Sequence, residues 1–416
     1  MKHVPALGIL VIGLLALALP YRVAGQTDPF VVQPGDNWAA LAMRFDTDEA
    51  SLRALNPHMN RTRQPAIGRL LAIPEGASER TGRLLRVGDG GLLQTAARQR
   101  ISPWALATLN GRESPYAPTF FAPLHLPGEG TIRDLPPGIR TMELSAIPAL
   151  PGQALGLRGT TEANATDIVG RLDGLDIAFA TAANRFAGVV GTGAFYAGGE
   201  PELVIRTGDA PAWSQPLAFD KQEWVYQELT LTGQAAEIDQ QARDEERARL
   251  RTLWTAVTPT PLWKEAFQTP INDYLEVSAG YGARRSYNGG PYLTYHEGVD
   301  FGACGGTRVR APGAGVVVRA EPLYVRGGAV ILDHGLGVFS GYYHLSAVHV
   351  AVGQSVEPGD LLGEVGTTGL STGNHLHWDL LINGIWVDAA QWQAQGLDCW
   401  LLEGIGEACV PPPTTG

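Results

Sequence analysis

The stretch from residue 277 to residue 390 places the tightest constraint on the fold, because short β-type runs alternate there with glycines. The whole chain contains 52 glycines and 29 prolines, a content that favours many turns and short strands over long helices. Within this stretch, His375 and His377 are separated by a single residue. Side chains alternate between the two faces of a strand, so we expect both imidazoles on one face of a sheet.

A second pattern in the same stretch is the spacing of His296 and Asp300, which have three residues between them. Gly298 and the β-branched Val299 lie in that interval and disfavour a helix. We therefore expect His296 on a strand and Asp300 in the turn that follows it. A further histidine, His344, follows a Gly-Tyr-Tyr run that is typical of a third strand.

These residue types suit a zinc site. Zinc favours imidazole nitrogen and carboxylate oxygen, and a catalytic zinc site uses three protein ligands with one position left for water. His296, Asp300 and one histidine of the 375–377 pair would supply that set, which would leave the other histidines free for proton transfer. The residues alone leave a second interpretation open, in which the histidine pair is structural.

The order of these motifs resembles that of the LytM/lysostaphin-type zinc endopeptidases. The resemblance runs from about residue 270 to residue 392 and includes the segments YGARR, HEGVDF, GTRVRAPGAGVVVRA, GQSVEPGDLLGEVGTTG and HLHWDL. It implies a compact, mostly antiparallel β-sheet with the active site in a groove on its face. It also implies one bound Zn²⁺ per chain.

The resemblance assigns a role to each residue of the two patterns. His296 and Asp300 match the first two metal ligands, and His377 matches the third. His375 and His344 match the two catalytic histidines that do not bind the metal. A histidine that is neutral near pH 7 can accept a proton from water and return it to a leaving amine. Neither the residues nor the resemblance says which of the two acts as the base.

The resemblance also points to residues around the site. The loop before the site borders the substrate groove in this family, so Tyr281, Arg284 and Asn288 are candidate groove residues, with packing inside the loop as an equal alternative. Asp379 shares the strand face of His377. We expect Asp379 to be a surface carboxylate rather than a group that orients the histidine.

Two histidines and three cysteines lie outside these patterns. His334 and His349 are expected to be structural or exposed. Cys304 is not needed as a metal ligand, because the histidines and the aspartate already fill the site. An odd count of cysteines leaves one unpaired. We expect Cys399 and Cys409 to close a small C-terminal loop, and a bond from Cys304 to either of them is the competing connectivity.

Residues 28–76 and 82–128 form an internal repeat. Each copy reads as a strand, a Gly-Asp turn, two helices and a closing strand, and in the first copy Gly35 and Asp36 are expected to supply the turn and the helix cap. The pattern resembles the LysM carbohydrate-binding module, which implies a small βααβ fold that binds glycans of peptidoglycan or chitin. The second copy starts its helix with glycines at 90–91 and is divergent, so a purely structural role is the alternative for it.

The remaining segments differ in their periodicity. Residues 145–233 alternate between apolar and polar side chains, which predicts a small β-sandwich or barrel that acts as a spacer. Residues 234–260 carry charge pairs at helical spacing, and we expect a solvated helical connector. Residues 261–395 are the expected peptidase domain and residues 396–416 a C-terminal tail. The sequence therefore predicts a multi-domain, mainly β protein.

Residues 1–25 are typical of a secretory signal peptide. A short polar start is followed by an apolar run from Ala6 to Leu19 and by small residues before Gln26. The run is short for a membrane span, and an uncleaved anchor is the alternative. We expect no membrane span after cleavage and a protein that lies outside the cytoplasm, associated with the cell wall.

Charge argues against one class of partner. The net charge of −11 disfavours binding to nucleic acid. Together, these observations predict a secreted zinc metalloendopeptidase that hydrolyses peptide cross-links of peptidoglycan and is held at the wall by LysM-like modules. The alternatives are a non-enzymatic activator of other cell-wall hydrolases and a glycan-binding wall protein.

Overall fold

The structure, a computed structural model, describes residues 29–59, 63–87, 91–116, 122–162, 167–232, 236–254 and 258–410. The expected signal peptide, residues 1–25, lies outside this part of the chain. Within the described ranges, no helix is both long and apolar enough to cross a membrane. The architecture is multi-domain and mainly β, as the sequence predicts.

Two βααβ units lie at the N-terminal end, as the repeat predicts. Their elements are β1 (Phe30–Val31), α1 (Trp38–Arg44), α2 (Glu49–Leu55), β2 (Leu70–Leu71), β3 (Thr81–Arg86), α3 (Gly91–Gln99), α4 (Pro103–Leu109) and β4 (Pro123–Thr131). The expected cap at Asp36 is wrong by one residue. Asn37 has the extended backbone of a cap and accepts the N–H of Ala40, whereas Asp36 is buried and accepts the N–H of Gln33 at 2.8 Å.

The first unit is joined to the following β-rich region through two of its loops. The N–H of Gly35 donates to the side-chain oxygen of Gln215 at 2.8 Å, and the side-chain nitrogen of Gln215 donates to the carbonyl of Pro65 at 3.0 Å. Ile67 also forms a parallel β-bridge with Leu217. These buried contacts fasten the first unit to the β-rich region.

The middle region is a β-sandwich. Its strands are β5 (Ile139–Leu144), β6 (Ala154–Thr161), β7 (Ile168–Leu172), β8 (Leu175–Asp176), β9 (Ala178–Ala182), β10 (Arg185–Gly191), β11 (Glu202–Thr207) and β12 (Trp213–Pro216). They form two four-stranded sheets with the orders β5-β6-β10-β9 and β12-β11-β7-β8. Both sheets contribute to one buried core, which includes Leu157, Phe186 and Leu203.

Helix α5 (Gln240–Trp254) is not the solvated connector that the charge pattern predicts. Its Glu246, Leu250 and Trp254 are buried, and Leu250 and Trp254 pack in a core with the C-terminal sheet. Arg249, one of the charges at helical spacing, donates to Glu321 of the C-terminal sheet rather than to a residue of its own helix, at 3.0 Å. The charge pattern does not show that another face of α5 is buried against the C-terminal sheet.

The C-terminal region is built on an antiparallel sheet, as the sequence predicts. Its strands are β14 (Glu276–Ala279), β15 (Arg284–Tyr287), β16 (Thr294–Tyr295), β17 (Gly298–Gly302), β18 (Arg308–Arg310), β19 (Gly315–Leu323), β20 (Gly327–Asp333), β21 (Val338–Val348), β22 (Ser355–Val356), β23 (Leu361–Val365), β24 (His375–Ile382) and β25 (Ile385–Val387). The main path runs β14-β17-β24-β21-β20-β19-β22. Strands β15 and β16 form a separate sheet with β13 (Tyr226–Leu229), a strand that lies in the segment expected to be the spacer.

The C-terminal residues are not a tail over most of their length. After helix Ala389–Ala394 (α6), a second helix (α7) covers Leu397–Gly404. Leu397, Leu401 and Leu402 belong to the main hydrophobic core of the C-terminal region. A tail prediction fails here because these three apolar residues fall on one side of a helix that closes the core.

The cysteines pair as the sequence predicts. Cys399 and Cys409 form a disulfide, with a Cα–Cα distance of 5.1 Å, and close the loop that follows α7. Cys304 is free and exposed, so the competing connectivity is wrong.

Candidate metal centre

Three neighbouring strands bring the candidate residues together. Strand β24 carries His375 and His377, and it lies between β17 and β21. The strand register places Asp300 of β17 opposite His377, and Tyr343 of β21 opposite the same residue. Nδ1 of His377 and Nε2 of His375 both approach Oδ1 of Asp300, at 2.7 and 3.8 Å. The two imidazoles therefore share one face of β24, as the period of two predicts.

The expected order of strand and turn at His296 and Asp300 is wrong. Strand β17 begins at Gly298, so Asp300 lies within the strand and His296 lies in the loop before it. The reason is that Asp300 is paired directly with β24 and must keep an extended backbone. His296 is fixed from the other side, where its N–H donates to the carbonyl of Ala283 at 2.8 Å.

The side chains of His296, Asp300 and His377 converge on one point. Nε2 of His296 lies 2.9 Å from Oδ1 of Asp300 and 3.0 Å from Nδ1 of His377. In the part of the chain that the structure describes, this is the group of side chains able to hold a metal ion. Cys304 is not part of it.

The geometry of this group fits zinc. Tetrahedral bonds of about 2.0–2.2 Å place zinc ligand atoms about 3.3 Å apart, close to the separations of 2.7–3.0 Å found here. Nδ1 of His296 donates to the carbonyl of Gly280 at 2.9 Å, so its Nε2 carries the lone pair that a metal needs. Burial lowers the pKa of His296 to about 4, which keeps the ring neutral at pH 7.

Asp300 divides its two oxygens between different partners. Burial alone would raise the pKa of Asp300, but His296 and His377 outweigh it and hold that pKa well below its usual range. Arg285 donates to Oδ2 at 3.2 Å, which leaves Oδ1 directed at the two imidazoles. The arginine thus holds one oxygen while the other faces the candidate metal position.

Two further imidazoles flank the group. The ring centres of His344 and His375 lie 4.7 Å apart. Nδ1 of His344 donates to the carbonyl of Thr368 at 2.7 Å, and Nδ1 of His375 donates to the carbonyl of Gly373 at 2.8 Å. Because Nδ1 carries the hydrogen in each neutral ring, Nε2 carries the lone pair. Each of these histidines can therefore accept a proton at Nε2.

His344 is held in an unusual backbone conformation. Its φ of +63° lies in the left-handed region, which costs a residue other than glycine about 1–2 kcal/mol. Burial, followed by the neighbouring His375, lowers the pKa of His344 to about 3. Such strain persists only where the surrounding structure imposes it, and it is common at functional sites.

The three candidate groove residues do not line the cleft beside these histidines. The hydroxyl of Tyr281 donates to the carbonyl of Trp386 at 2.7 Å. The guanidinium of Arg284 lies 4.4 Å from the ring centre of Phe195 in the sandwich. Asn288 is exposed at a turn with φ of +52°. These contacts match the alternative of packing around the loop.

The cleft is lined by the neighbours of those candidates in the sequence. Arg285 and Tyr287 of β15 line the cleft. Tyr295 of β16 and His296 of the following loop also line it. Side chains alternate along a strand, so a shift of one residue moves a prediction to the opposite face of the sheet. The sequence therefore identifies the strand that borders the cleft but not the face of that strand that lines it.

Helix α5 forms one wall of the same cleft. Gln240, Arg243 and Arg247 line it. The guanidinium of Arg243 lies 4.6 Å from the ring centre of Tyr287, and Arg247 forms an ion pair with Glu297. Sequence analysis missed these residues because a charged helix carries no local signal that distinguishes a solvated face from one that lines a cleft.

The other candidates have separate surroundings. Asp379 is not a surface carboxylate: only 1% of it is exposed, because β24 is covered on both faces, and its Oδ2 accepts the indole N–H of Trp386 at 2.8 Å. Burial raises the pKa of Asp379. His334 is buried and donates from Nδ1 to the carbonyl of Ala314 at 2.7 Å, so it is structural as expected. His349 is exposed, also as expected.

Comparison with known families gives two matches. The model of peptidase family M23 matches residues 294–389, and the model of the LysM domain matches residues 30–74. The first match contains the metal cluster and its flanking histidines, and the second coincides with the first βααβ unit.

Individual relatives match the C-terminal region. The peptidoglycan DD-endopeptidase ShyA of Vibrio cholerae is 35% identical over 127 residues, or 30% of this chain and 30% of ShyA. Lysostaphin of Staphylococcus staphylolyticus is 34% identical over 140 residues, or 32% of this chain and 29% of lysostaphin. The matches thus span about 30% of the length of these curated relatives.

A crystal structure of a family M23 peptidase from Pseudomonas aeruginosa is also similar. Its sequence identity is 24% and its TM-score 0.45, over 59% of this chain and 94% of that one. The family matches agree with the LytM/lysostaphin and LysM resemblances of the sequence. This chain carries a family M23 metallopeptidase domain with a LysM domain on its N-terminal side.

Proposed function

We propose that this protein is a zinc metalloendopeptidase that hydrolyses peptide cross-links in peptidoglycan outside the cytoplasm. The observation that carries the proposal is the convergence of His296, Asp300 and His377, whose facing atoms lie 2.7–3.0 Å apart. The two flanking histidines donate from Nδ1 to main-chain carbonyls, and their Nε2 atoms supply the proton-transfer groups that peptide hydrolysis needs.

His296, Asp300 and His377 would hold the zinc ion in this mechanism. A zinc ion held there would lower the pKa of a water molecule and polarise the scissile carbonyl. His344 or His375 accepts the proton of the attacking water at Nε2 and returns it to the leaving amine. The other of the two would donate a hydrogen bond to the developing oxyanion when its Nε2 carries a proton taken from solvent. Arg285 holds Oδ2 of Asp300, so that Oδ1 stays directed at the metal position during the reaction.

Peptidoglycan is the proposed substrate because of the two domains together. ShyA is described as a peptidoglycan DD-endopeptidase, and the LysM match supports binding to a glycan-containing wall. Association with the cell wall follows from both. The candidate bonds are a D-alanyl cross-link and a glycyl bridge.

Hydrolysis of purified peptidoglycan tests the proposal. Protein with one zinc ion per chain, by elemental analysis, should release soluble fragments, and mass spectrometry of those fragments identifies the bond. Removal of zinc with a chelator should stop the release, and added Zn²⁺ should restore it. A zinc-loaded protein that releases nothing, from either cross-link type, would be an activator or a wall-binding protein instead.

Wall binding by the N-terminal units is a separate part of the proposal. Deletion of residues 26–130 should weaken sedimentation with insoluble peptidoglycan while the zinc content stays the same. The loops of the first unit that hold Gly35 and Ile67 are covered by the sandwich, so the glycan should bind to another face of that unit. Equal sedimentation of the full-length and the shortened protein would show that these units do not anchor the protein.

A further inference from the structure

The backbone of His344 depends on two neighbouring segments. Its N–H donates to the carbonyl of Arg326 at 2.9 Å, and its Nδ1 donates to the carbonyl of Thr368 at 2.7 Å. The first bond fixes a residue with φ of +63°, and the second fixes the ring that faces the metal cluster. The position of His344 is therefore set by the turn at 325–326 and by the loop at 368–370.

These two segments are themselves bonded to each other. The N–H of Leu370 donates to the carbonyl of Val325 at 2.7 Å. The N–H of Gly328, just after the turn, donates to the hydroxyl of Thr368 at 2.9 Å. A displacement of the turn at 325–326 would consequently disturb both hydrogen bonds of His344.

Glu246 of helix α5 holds that turn. Its Oε2 accepts the N–H of Val325 at 2.7 Å, and its Oε1 accepts both the N–H of Arg326 at 3.2 Å and the guanidinium of Arg326 at 3.1 Å. The side chains of Glu246 and Arg326 are only 6% and 11% exposed. The other guanidinium nitrogen of Arg326 donates to Glu297, next to His296 in the sequence.

The buried carboxylate of Glu246 is matched to the donors of the turn at 325–326. Burying a charge is costly unless it is paired and hydrogen-bonded, and Glu246 meets both conditions through groups of a single turn. Without this carboxylate, two main-chain N–H groups would be left buried without their acceptor. No side chain within residues 258–410 bonds to the N–H groups of Val325 and Arg326 in its place.

We propose that Glu246 is a positioning residue for His344, and that helix α5 is a functional part of the active site. Helix α5 precedes the family M23 match, which begins at residue 294. The proposal rests on the proposed function, because it assigns to Glu246 a task that matters only if His344 takes part in catalysis. Glu246 touches neither the metal ligands nor the cleft, so it acts through the turn at 325–326.

Kinetics of Glu246→Gln test the catalytic part. This variant keeps the shape of the side chain but replaces one accepting oxygen with an amide group that cannot accept. We expect kcat on peptidoglycan fragments to fall about 10–100-fold, the scale of a misplacement near 1 Å, with KM and zinc content unchanged. Glu246→Asp keeps the charge and should recover part of kcat. Glu245→Gln changes the exposed neighbouring carboxylate and should behave as the parent protein.

Leu250→Ala separates positioning from stability. Leu250 is buried on the same helix but bonds to no part of the turn, so its loss should lower the unfolding temperature. Measured well below that temperature, Leu250→Ala should keep its kcat. A fall in kcat that follows thermal stability equally in both variants would overturn the proposal, and so would a normal kcat in Glu246→Gln.

Hydrogen exchange gives a readout that needs no activity. In the zinc-free protein, Glu246→Gln should speed exchange at the amides of Val325, Arg326 and His344, and Glu245→Gln should not. Unchanged exchange at His344 would overturn the positioning role even if the parent protein did not hydrolyse peptidoglycan. Failure of the proposed function would instead show as absent turnover by the parent protein, with the exchange result unaffected.

Discussion

Two regions of this protein each bury a carboxylate beside basic side chains, and the pKa of the carboxylate differs between them. Asp36 of the LysM domain is 0% exposed and Asp300 of the metal centre is 8% exposed. Asp300 lies within 2.7–3.2 Å of two imidazoles and a guanidinium. The guanidinium groups of Arg44 and Arg133 lie farther from Asp36, at 3.4 and 3.6 Å.

The pKa values of the two groups move in opposite directions. Burial raises the pKa of Asp36 to about 6, in spite of the N–H of Gln33 and the two arginines. At Asp300, His296 and His377 overcome the same effect of burial and lower the pKa. Direct contact with His296 and His377, rather than the degree of burial, decides that Asp300 keeps its charge. One carboxylate is suited to a metal, and the other is suited to respond to pH.

Loss of a metal ligand should have the largest effect. If Asp300 proved dispensable, the contrast between Asp300 and Asp36 would not hold. His296→Ala, Asp300→Ala and His377→Ala would each remove one of the three proposed protein bonds to zinc, so zinc and activity should be lost together. Elemental analysis and turnover of purified peptidoglycan, with Asp36→Ala as the buried control, measure this. An Asp300→Ala protein that keeps one zinc per chain would contradict the assigned ligand set.

Loss of the flanking histidines should come next. His344→Ala and His375→Ala should leave zinc near one per chain and lower turnover by about 10²–10⁴-fold, the usual contribution of general acid–base catalysis. The two histidines of β24 would then behave differently although they share a strand face. A His375→Ala protein without zinc, beside a His377→Ala protein that keeps it, would reverse the assignment of the pair.

The pH response of Asp36 should be smaller. Its pKa rises from 3.8 to about 6 on folding, so the folded state binds the proton more tightly. The stabilisation is present below pH 4 and is lost as pH rises towards 6, with a total of about 3 kcal/mol. The Asp36→Asn protein should not lose stability over this pH range. The exposed control Asp46→Asn should lose it as the parent protein does. Exchange of LysM-domain amides, corrected for intrinsic rates at pH 4.5 and 7.5, measures the difference.

Removal of the arginine beside Asp300 should have the smallest effect. Arg285→Gln takes away the donor to Oδ2 but leaves Oδ1 and both imidazoles in place. Partners of metal ligands typically contribute about 10-fold or more to metal affinity, so zinc should bind about 10-fold more weakly. Competition with a zinc-binding dye measures this affinity. An Arg285→Gln protein with unchanged affinity would show that the imidazoles alone keep Asp300 in place.

The sequence predicts those features that local patterns encode. The period of two along a strand places His375 and His377 on one face, and the spacing of Cys399 and Cys409 allows their disulfide. The βααβ units follow from helix and turn signals within each repeat. The members of the metal cluster can also be predicted from the sequence, because the order of the motifs resembles that of a known family.

The features that sequence analysis missed depend on contacts between distant segments. Glu246 and Arg243 lie on a helix whose charge pattern matches a solvated one, and only the fold shows which face it buries. Arg285 was missed in favour of Arg284 because the pairing partners of β15 decide which face is inward. Asp379 was expected at the surface because the sequence does not show that both faces of β24 are covered.

Helix α7 determines where a working fragment of this protein can end. The M23 match stops at residue 389, but Leu397, Leu401 and Leu402 complete the core that the matched residues form. A protein that stopped at the end of the match would leave apolar surface open to water, and such surfaces promote aggregation. Expression of the peptidase should therefore retain the chain through Cys409, and a purification tag belongs beyond that residue.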